Sequence, residues 1–158
     1  MKMLKKVSSE FEKKFILNHI REEDKEELRA MFGEGWYKET IKTLQNNDFL
    51  VMYGFDEQKN EIPIAIGGFY DFNQPELNIA SVWILSSHYI YRNKKLFFKD
   101  IKEKLSETGD KYKIMYNYIY KRNFSAKKWL KKLGFSFDNP NPEGLTVKEG
   151  FEFFYKIN

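Results

Sequence analysis

Apolar residues recur along this chain with two periods, and the alternation between them predicts an α/β order of elements. A short apolar run over 15–19 predicts a first strand. It leads into 22–32, where acidic residues load the first turn and Leu28, Met31 and Phe32 share a face, the pattern of a helix. Gly33 and Gly35 break that helix, and Tyr37, Ile41 and Leu44, spaced four and three apart, predict a second short one. Residues 49–55 read as a strand, 56–60 as its turn, and 62–72 as a longer strand whose continuous apolar run Ile64-Ala65-Ile66-Gly67-Gly68-Phe69 is expected to be buried on both faces. A strand over 79–85 follows, then a helix over 93–105 with Phe97, Phe98, Ile101 and Leu105 inward, then a strand over 112–120. Beyond a loop with Pro140, Pro142 and Gly144, residues 151–157 alternate as a closing strand.

The stretch 123–135 is the most sharply bounded. Ala126, Trp129, Leu130 and Leu133 recur at i, i+3, i+4, i+7 and make one apolar helical face, while Lys127, Lys128, Lys131 and Lys132 occupy the other. Asn123 or Ser125 can cap its start, Gly134 sits where a left-handed residue stops a helix, and the last-turn lysines face the negative end of the dipole. The whole order predicts an α/β domain with a mixed sheet, because only a helical crossover joins parallel neighbours. No repeat, low-complexity tract or linker divides the chain, which is expected to be one domain over 15–158 preceded by an N-terminal extension, 1–14.

Composition narrows the class. With 158 residues, 42% of them apolar, the chain can bury the core of a single domain. Its 15 Phe and 10 Tyr fit an interior lined by rings, and equally the coding bias of an AT-rich genome. The absence of cysteine excludes disulfides, thiolate-bound metal centres and a cysteine nucleophile. There is no leader-like apolar run at the N-terminus and no run of membrane-spanning length. The expectation is a soluble protein with no membrane segment, cytoplasmic in the producing cell or carried in a particle assembled there. A net charge of +4 is modest for a nucleic-acid binder, but it is polarised: acids gather in 10–34 and bases in 92–132.

Asn123, then Ala126 three residues on, the apolar pair Trp129-Leu130 six and seven on, and Leu133-Gly134-Phe135 resemble the fourth helix and following strand of the GNAT (GCN5-related N-acetyltransferase) family. The element order is similar over 15–158. The resemblance implies a single GNAT-like (acyl-CoA N-acyltransferase) domain, a mixed central sheet flanked by helices, acetyl-CoA as cofactor with no metal, and acetyl transfer to an amine. It also implies a pyrophosphate cradle at the mouth of the central helix, built as Arg or Gln, two residues, Gly, one residue, Gly or Ala, where bare backbone N–H groups meet phosphate. The run here is Arg92-Asn93-Lys94-Lys95-Leu96-Phe97: the Arg matches, and Lys95 and Phe97 replace the two small residues. Arg92, Asn93, Lys94, Lys95 and Asn123 are therefore the candidate cofactor-binding residues. A Phe side chain at a close backbone approach excludes a diphosphate unless the loop is reshaped, while Lys94 and Lys95 can offer point charges. The bland alternative makes Phe97 a core residue and the lysines a solvated face.

No catalytic residue is assigned. Leu130 occupies the position where many GNAT members place a Tyr acid. Tyr116, Tyr118 and Tyr120 could substitute or could be core, and His88 reads as a base near the thioester or as an exposed loop residue. The family's thioester polariser is a main-chain N–H at the splayed end of the fourth strand, which no side chain reveals.

Within the family, Met115-Tyr116-Asn117-Tyr118, Trp129-Leu130, Ala65-Ile66-Gly67-Gly68 and the missing Gly cradle resemble the GNAT-like internal virion proteins of short-tailed phages. This implies a phage virion or assembly protein with protein partners in the particle and lost or weak acyltransferase chemistry. An active acetyl-CoA-dependent N-acetyltransferase is the alternative. A nucleic-acid binder using Arg92, Lys94, Lys95, Lys99 and Lys102 with Tyr89 and Tyr91 is a third reading; Asp100 among those bases gives the flank an ordinary solvated look, so nucleic-acid binding is expected to be weak at most.

Overall fold

A computed structural model of the chain describes residues 4–6, 10–45 and 49–158. Its elements are β1 (Leu4–Lys6), α1 (Glu10–Asn18), α2 (Glu22–Phe32), α3 (Trp36–Gln45), β2 (Leu50–Phe55), β3 (Glu61–Tyr70), β4 (Ile79–Ser86), α4 (Lys94–Gly109), β5 (Ile114–Tyr120), α5 (Phe124–Lys132) and β6 (Phe151–Ile157), with short 3₁₀ turns at Gly33–Gly35, Pro75–Leu77 and His88–Tyr91. Among the described residues the strands follow chain order across the sheet. β1, β2 and β3 pair antiparallel, β4 and β5 parallel, and β5 and β6 antiparallel, so the expected mixed α/β sheet with helices between its strands is present.

The chain divides into two compact units, Met1–Gly68 with Ile84–Glu103, and Phe69–Trp83 with Lys104–Asn158. The first is built on the run Ile64-Ala65-Ile66 in β3, which is buried as expected of a strand covered on both faces, together with Ile16, Leu17, Leu28, Leu44, Val51 and Met52. In the second, Met115 and Ile119 of β5 are buried, as is Phe154 of β6, whose ring meets Phe135 edge-on at 5.3 Å.

The first strand expected over 15–19 is instead the second half of helix α1. Phe15, Ile16 and Leu17 looked like a strand because they are consecutive and apolar. In the helix Ile16 and Leu17 turn into the core, while Phe11, Phe15 and His19 line up at four-residue intervals, with Phe15 stacked on His19 at 4.3 Å. Within the expected 1–14 extension, Leu4–Lys6 forms β1 and Glu10 begins α1, and residues 1–3 and 7–9 lie outside the described residues. β3 stops at Tyr70, two residues short of expectation. Phe72 and Asn73 there take positive φ values of 57°, and the Asp71 carboxylate accepts the Asn73 N–H, so the chain turns.

Helix α5 lies where its sequence predicts and ends as expected, but the Asn123 side chain makes no capping bond at its start. Asn123 is the residue before its first turn. At the other end Phe135 N–H donates to Leu130 O at 3.0 Å and Gly134 N–H to Lys131 O at 3.1 Å, with Gly134 at φ 92°, the paired bonds of a Schellman stop that a β-carbon would strain. The expected strand after it is reduced to a single bridge between Ser136 and Tyr155. The apolar face of α5 is only half-buried: Ala126, Trp129, Leu130 and Leu133 are all intermediate, and no residue of the helix is buried. Leu130→Ala is therefore expected to cost less than about 2 kcal/mol, below the range of a fully buried Leu. A urea titration reads this, and a loss above about 3 kcal/mol would mean that the helix face is buried in solution.

Candidate functional site

The four candidate cofactor residues that are contiguous lie where the His88–Tyr91 turn runs into α4, in the first unit. This junction is tightly hydrogen-bonded to itself. Ile90, Arg92 and Asn93 donate their N–H groups to Ser87 O, Tyr89 O and Ile90 O at 3.1–3.2 Å, and Phe97 N–H donates to Asn93 O at 2.8 Å. A helix leaves its first N–H groups without intrahelical partners, so Lys94, Lys95 and Leu96 present theirs at the mouth of α4.

The side chains divide by role. Arg92, Lys94 and Lys95 are exposed; the Arg92 guanidinium reaches Glu57 at 3.4 Å and the Lys94 ammonium lies 5.7 Å from the Tyr91 ring centroid. Asn93 is buried, and its amide is spent on the backbone. Its Oδ1 accepts the Phe55 N–H at 3.1 Å, and its Nδ2 donates to Phe55 O at 3.0 Å and Tyr89 O at 2.9 Å. That approach needs a glycine beside it, since a β-carbon on Gly54 would meet Asn93 Cγ at 2.7 Å. Asn93 thus ties the end of β2 to the start of α4. Phe97, at the second small-residue position, is 2% exposed and belongs to the core.

Asn123 lies in the second unit, buried at the start of α5, where its N–H donates to Tyr120 O and its carbonyl accepts from Lys127 N–H. Leu130 is half-buried on the same helix. Tyr116, Tyr118 and Tyr120 alternate along β5 and share a face with Phe151 and Phe153 of β6, ring to ring at 5.6–5.9 Å. Burial pushes the phenols of Tyr116 and Tyr118 above their ordinary pKa, and for Tyr116 the neighbouring Tyr118 adds to it, so both are held neutral and made weaker acids.

His88 is exposed at the entrance to the 3₁₀ turn. Its ring sits 4.3 Å from that of Tyr89 and 6.0 Å from that of His19, whose Nδ1–H donates to Phe15 O at 2.8 Å. His19, to which the sequence assigned nothing, is thereby part of a four-ring cluster with Phe15, His88 and Tyr89. Asp100 corrects the picture of a diluted basic flank. It is buried, with Oδ2 lacking a hydrogen-bond partner, while Lys99 and Lys102 on the same helix are exposed.

Two arrangements had no signal in the sequence. The first is a buried charge cluster. Arg21, 1% exposed, donates to both carboxylate oxygens of Asp24, at 2.6 and 3.3 Å, and Asp24 Oδ2 also accepts the Ser86 N–H at 3.1 Å and hydroxyl at 2.9 Å. Burial lowers the pKa of the Arg21 guanidinium, but the charge of Asp24 and the bonds to it outweigh this and hold it above its ordinary value. The backbone joins in: Arg21 N–H donates to Ser86 O, and Ser87 N–H to Ile64 O, both at 2.9 Å. The N–H groups of Ser86, the last residue of β4, and of Ser87 just after it are thus taken inside the fold. An acidic residue at the first turn of α2 was visible; that it faces inward onto Arg21 was not.

The second is where β4 and β5 part. Their parallel ladder runs from Ile79↔Ile114 to Ser81↔Tyr116. At the next step the Asn117 side chain stands in, Nδ2 donating to Val82 O at 2.8 Å while Oδ1 accepts the Tyr118 N–H at 2.8 Å. An amide can do this because it carries a donor and an acceptor on a short stem.

Among the described residues, no group of three or more His, Asp or Glu is placed to hold a metal ion, and no helix is long and apolar enough to cross a membrane. No curated protein matches the chain. Solved structures do. A domain from Methanocaldococcus jannaschii is similar at TM-score 0.69 and 10% identity, covering 98% of this chain and 97% of that one. Spermidine N-acetyltransferase from Vibrio cholerae, in complex with CoA and spermine, is similar at TM-score 0.59 and 15% identity, covering 98% and 95%. The ribosomal-protein-S5-alanine acetyltransferase from Vibrio fischeri is similar at TM-score 0.52 and 15% identity, covering 80% and 72%. These likenesses establish the GNAT fold. In sequence, residues 58–141, more than half of the chain, match the family described as bacteriophage T7 probable scaffold protein Gp13, and the segment holds α4, β5 and α5 entire. The chain is a GNAT-fold member of that phage scaffold family.

Proposed function

We propose that this protein serves the assembly or structure of a phage particle through protein partners, with the GNAT fold kept as a scaffold and the acetyl-CoA site lost or weak. The observation that carries this reading is Phe97. Its ring fills the core where the family's cradle has a small residue, and its N–H is committed to Asn93 O. The engaged Asn93 amide and the occupied N–H groups of Ser86 and Ser87 support it, because each is backbone or side-chain capacity turned to holding the fold. The small-residue cradle for a diphosphate does not fit the residues at the start of α4, and no step of acetyl transfer is derived through it.

The alternative is an acetyl-CoA-dependent N-acetyltransferase acting on an amine. The exposed Arg92, Lys94 and Lys95 favour it, since they gather positive charge at a helix mouth without further rearrangement. In that reading these three side chains replace the cradle, and Asn93 and Asn123 contribute only by setting the starts of α4 and α5.

A thermal melt with acetyl-CoA separates the two. A ligand present at a hundred times its Kd stabilises a fold by about 2.7 kcal/mol, which a melt registers as several degrees. No shift is expected at sub-millimolar acetyl-CoA. A clear, saturable rise in Tm would overturn the scaffold reading of the site and restore the enzyme.

A further inference from the structure

Helices α2 and α5 carry outward rows of opposite charge with the same spacing. On α5, Phe124, Lys128 and Lys132 follow one another at four-residue intervals and all three are exposed, Phe124 at 71%. From 121 to 132 the chain holds Lys121, Arg122, Lys127, Lys128, Lys131 and Lys132 and no acid. On α2, Asp24 turns inward to Arg21, which leaves Glu22 and Glu26, also four apart, as the exposed acids. Residues four apart on a helix lie about 6 Å apart along its axis, so the two rows match in step. Set antiparallel, with Lys128 against Glu26 and Lys132 against Glu22, they bring Phe124 opposite Ala30 and beside Met31, itself 43% exposed. The bases of α2 do not oppose this register. Lys25 lies 6.0 Å from the Trp36 ring centroid, and Arg29 falls opposite Ser125. The register also sets the positive end of α2 beside the negative end of α5.

We propose that the basic face of α5 in one copy of this chain docks on the acidic face of α2 in a second copy. The two faces differ, so each copy brings an α5 face to one such contact and an α2 face to another. Glu152 shows how α5 takes a carboxylate, meeting Lys127 Nζ at 2.6 Å. The charge pairs set partner and register, and the covered Phe124 ring and Met31 side chain supply the apolar contact. Such an association is sensitive to ionic strength, because the screening length falls from about 10 Å at 0.1 M salt to about 3 Å at 1 M. The inference deepens the scaffold reading, and its readout is mass rather than cofactor binding, so the two fail separately.

The test is sedimentation velocity on the full chain at low and at about 1 M salt, with the surface variants Lys128→Glu/Lys132→Glu and Glu22→Lys/Glu26→Lys. The wild type is expected to gain mass with concentration at low salt and to lose this at high salt. Each variant alone is expected to need at least about tenfold more protein to reach the same mean mass. An equimolar mixture of the two variants is expected to recover association, since the reversed α5 of one now meets the reversed α2 of the other. Recovery on mixing cannot come from misfolding. A wild type that stays monomeric, variants that associate unchanged, or a mixture that does not recover would each overturn the proposal. Loss of association in the α5 variant with none in the α2 variant would do so too, by pointing to a different acidic partner or to nucleic acid on the lysines.

Discussion

Asp24→Ala is expected to remove about 3–5 kcal/mol of folding stability, because it takes from a buried guanidinium the carboxylate to which it donates twice. Arg21 is almost wholly removed from water and donates to both oxygens of that carboxylate, and Ser86 loses an acceptor for its N–H and its hydroxyl at the same time. A domain holds about 5–15 kcal/mol in all, so the variant should sit close to its unfolding midpoint under mild urea. Replacing both charges with apolar residues of similar volume, Arg21→Met with Asp24→Leu, should recover most of the loss, since it removes the buried charge along with the carboxylate that held it. Chemical denaturation of the three proteins reads this directly. An Asp24→Ala loss below about 1 kcal/mol would mean that water reaches Arg21 in solution.

Phe97→Ala is expected to cost about 3–5 kcal/mol and to confer no affinity for acetyl-CoA. The ring is core, so its removal leaves a cavity at the start of α4 rather than a cradle, because the N–H beneath it stays bonded to Asn93 O. The double variant Lys95→Gly/Phe97→Ala sets both family small residues in place, and calorimetry with acetyl-CoA on the folded fraction decides the matter. Binding by that variant, in the face of the lost packing, would mean that the site is latent and blocked by one ring. Phe97→Leu keeps most of the volume and should lose less than about 2 kcal/mol.

The elements that the sequence revealed best are those whose ends are written in side chains. The 123–135 stretch has an Asn before it, a Gly after it and an apolar face at helical spacing, and the helix lies where these say. β2 and the Asp56–Asn60 turn were similarly plain: the Asp56 carboxylate accepts N–H bonds from Gln58 and Asn60 and one from the Asn60 amide, and these bonds, that of the Asn60 side chain first, hold its pKa below the ordinary carboxylate value. Helix α1 was misread because three consecutive apolar residues carry no period, and length could not arbitrate in so short a run. The site was less legible than the fold. Lys95 and Phe97 could be recognised as departures, but where α4 begins, and so which N–H groups are left open, depends on a 3₁₀ turn whose residues, His88-Tyr89-Ile90-Tyr91, have no turn chemistry of their own. The Arg21–Asp24 pair was hidden for a different reason. An i, i+3 pair of opposite charge at a helix start looks the same on a surface as in a core, and only the approach of Ser86, 62 residues away, decides which it is.

The single bridge from Ser136 to Tyr155 bears on how this protein tolerates crowding. β6 ends the sheet order, and a bare terminal strand is a template on which further strands can add, the route to fibres when many copies are brought together. Ser136 N–H donates to Tyr155 O at 2.8 Å and Ser136 O accepts the Tyr155 N–H at 3.1 Å, so the segment after α5 meets β6 at Tyr155. With both of those Tyr155 backbone groups bonded, a further strand cannot pair there without displacing the segment. Copies brought to high local density are in this way kept from adding strand on strand at Tyr155 of β6.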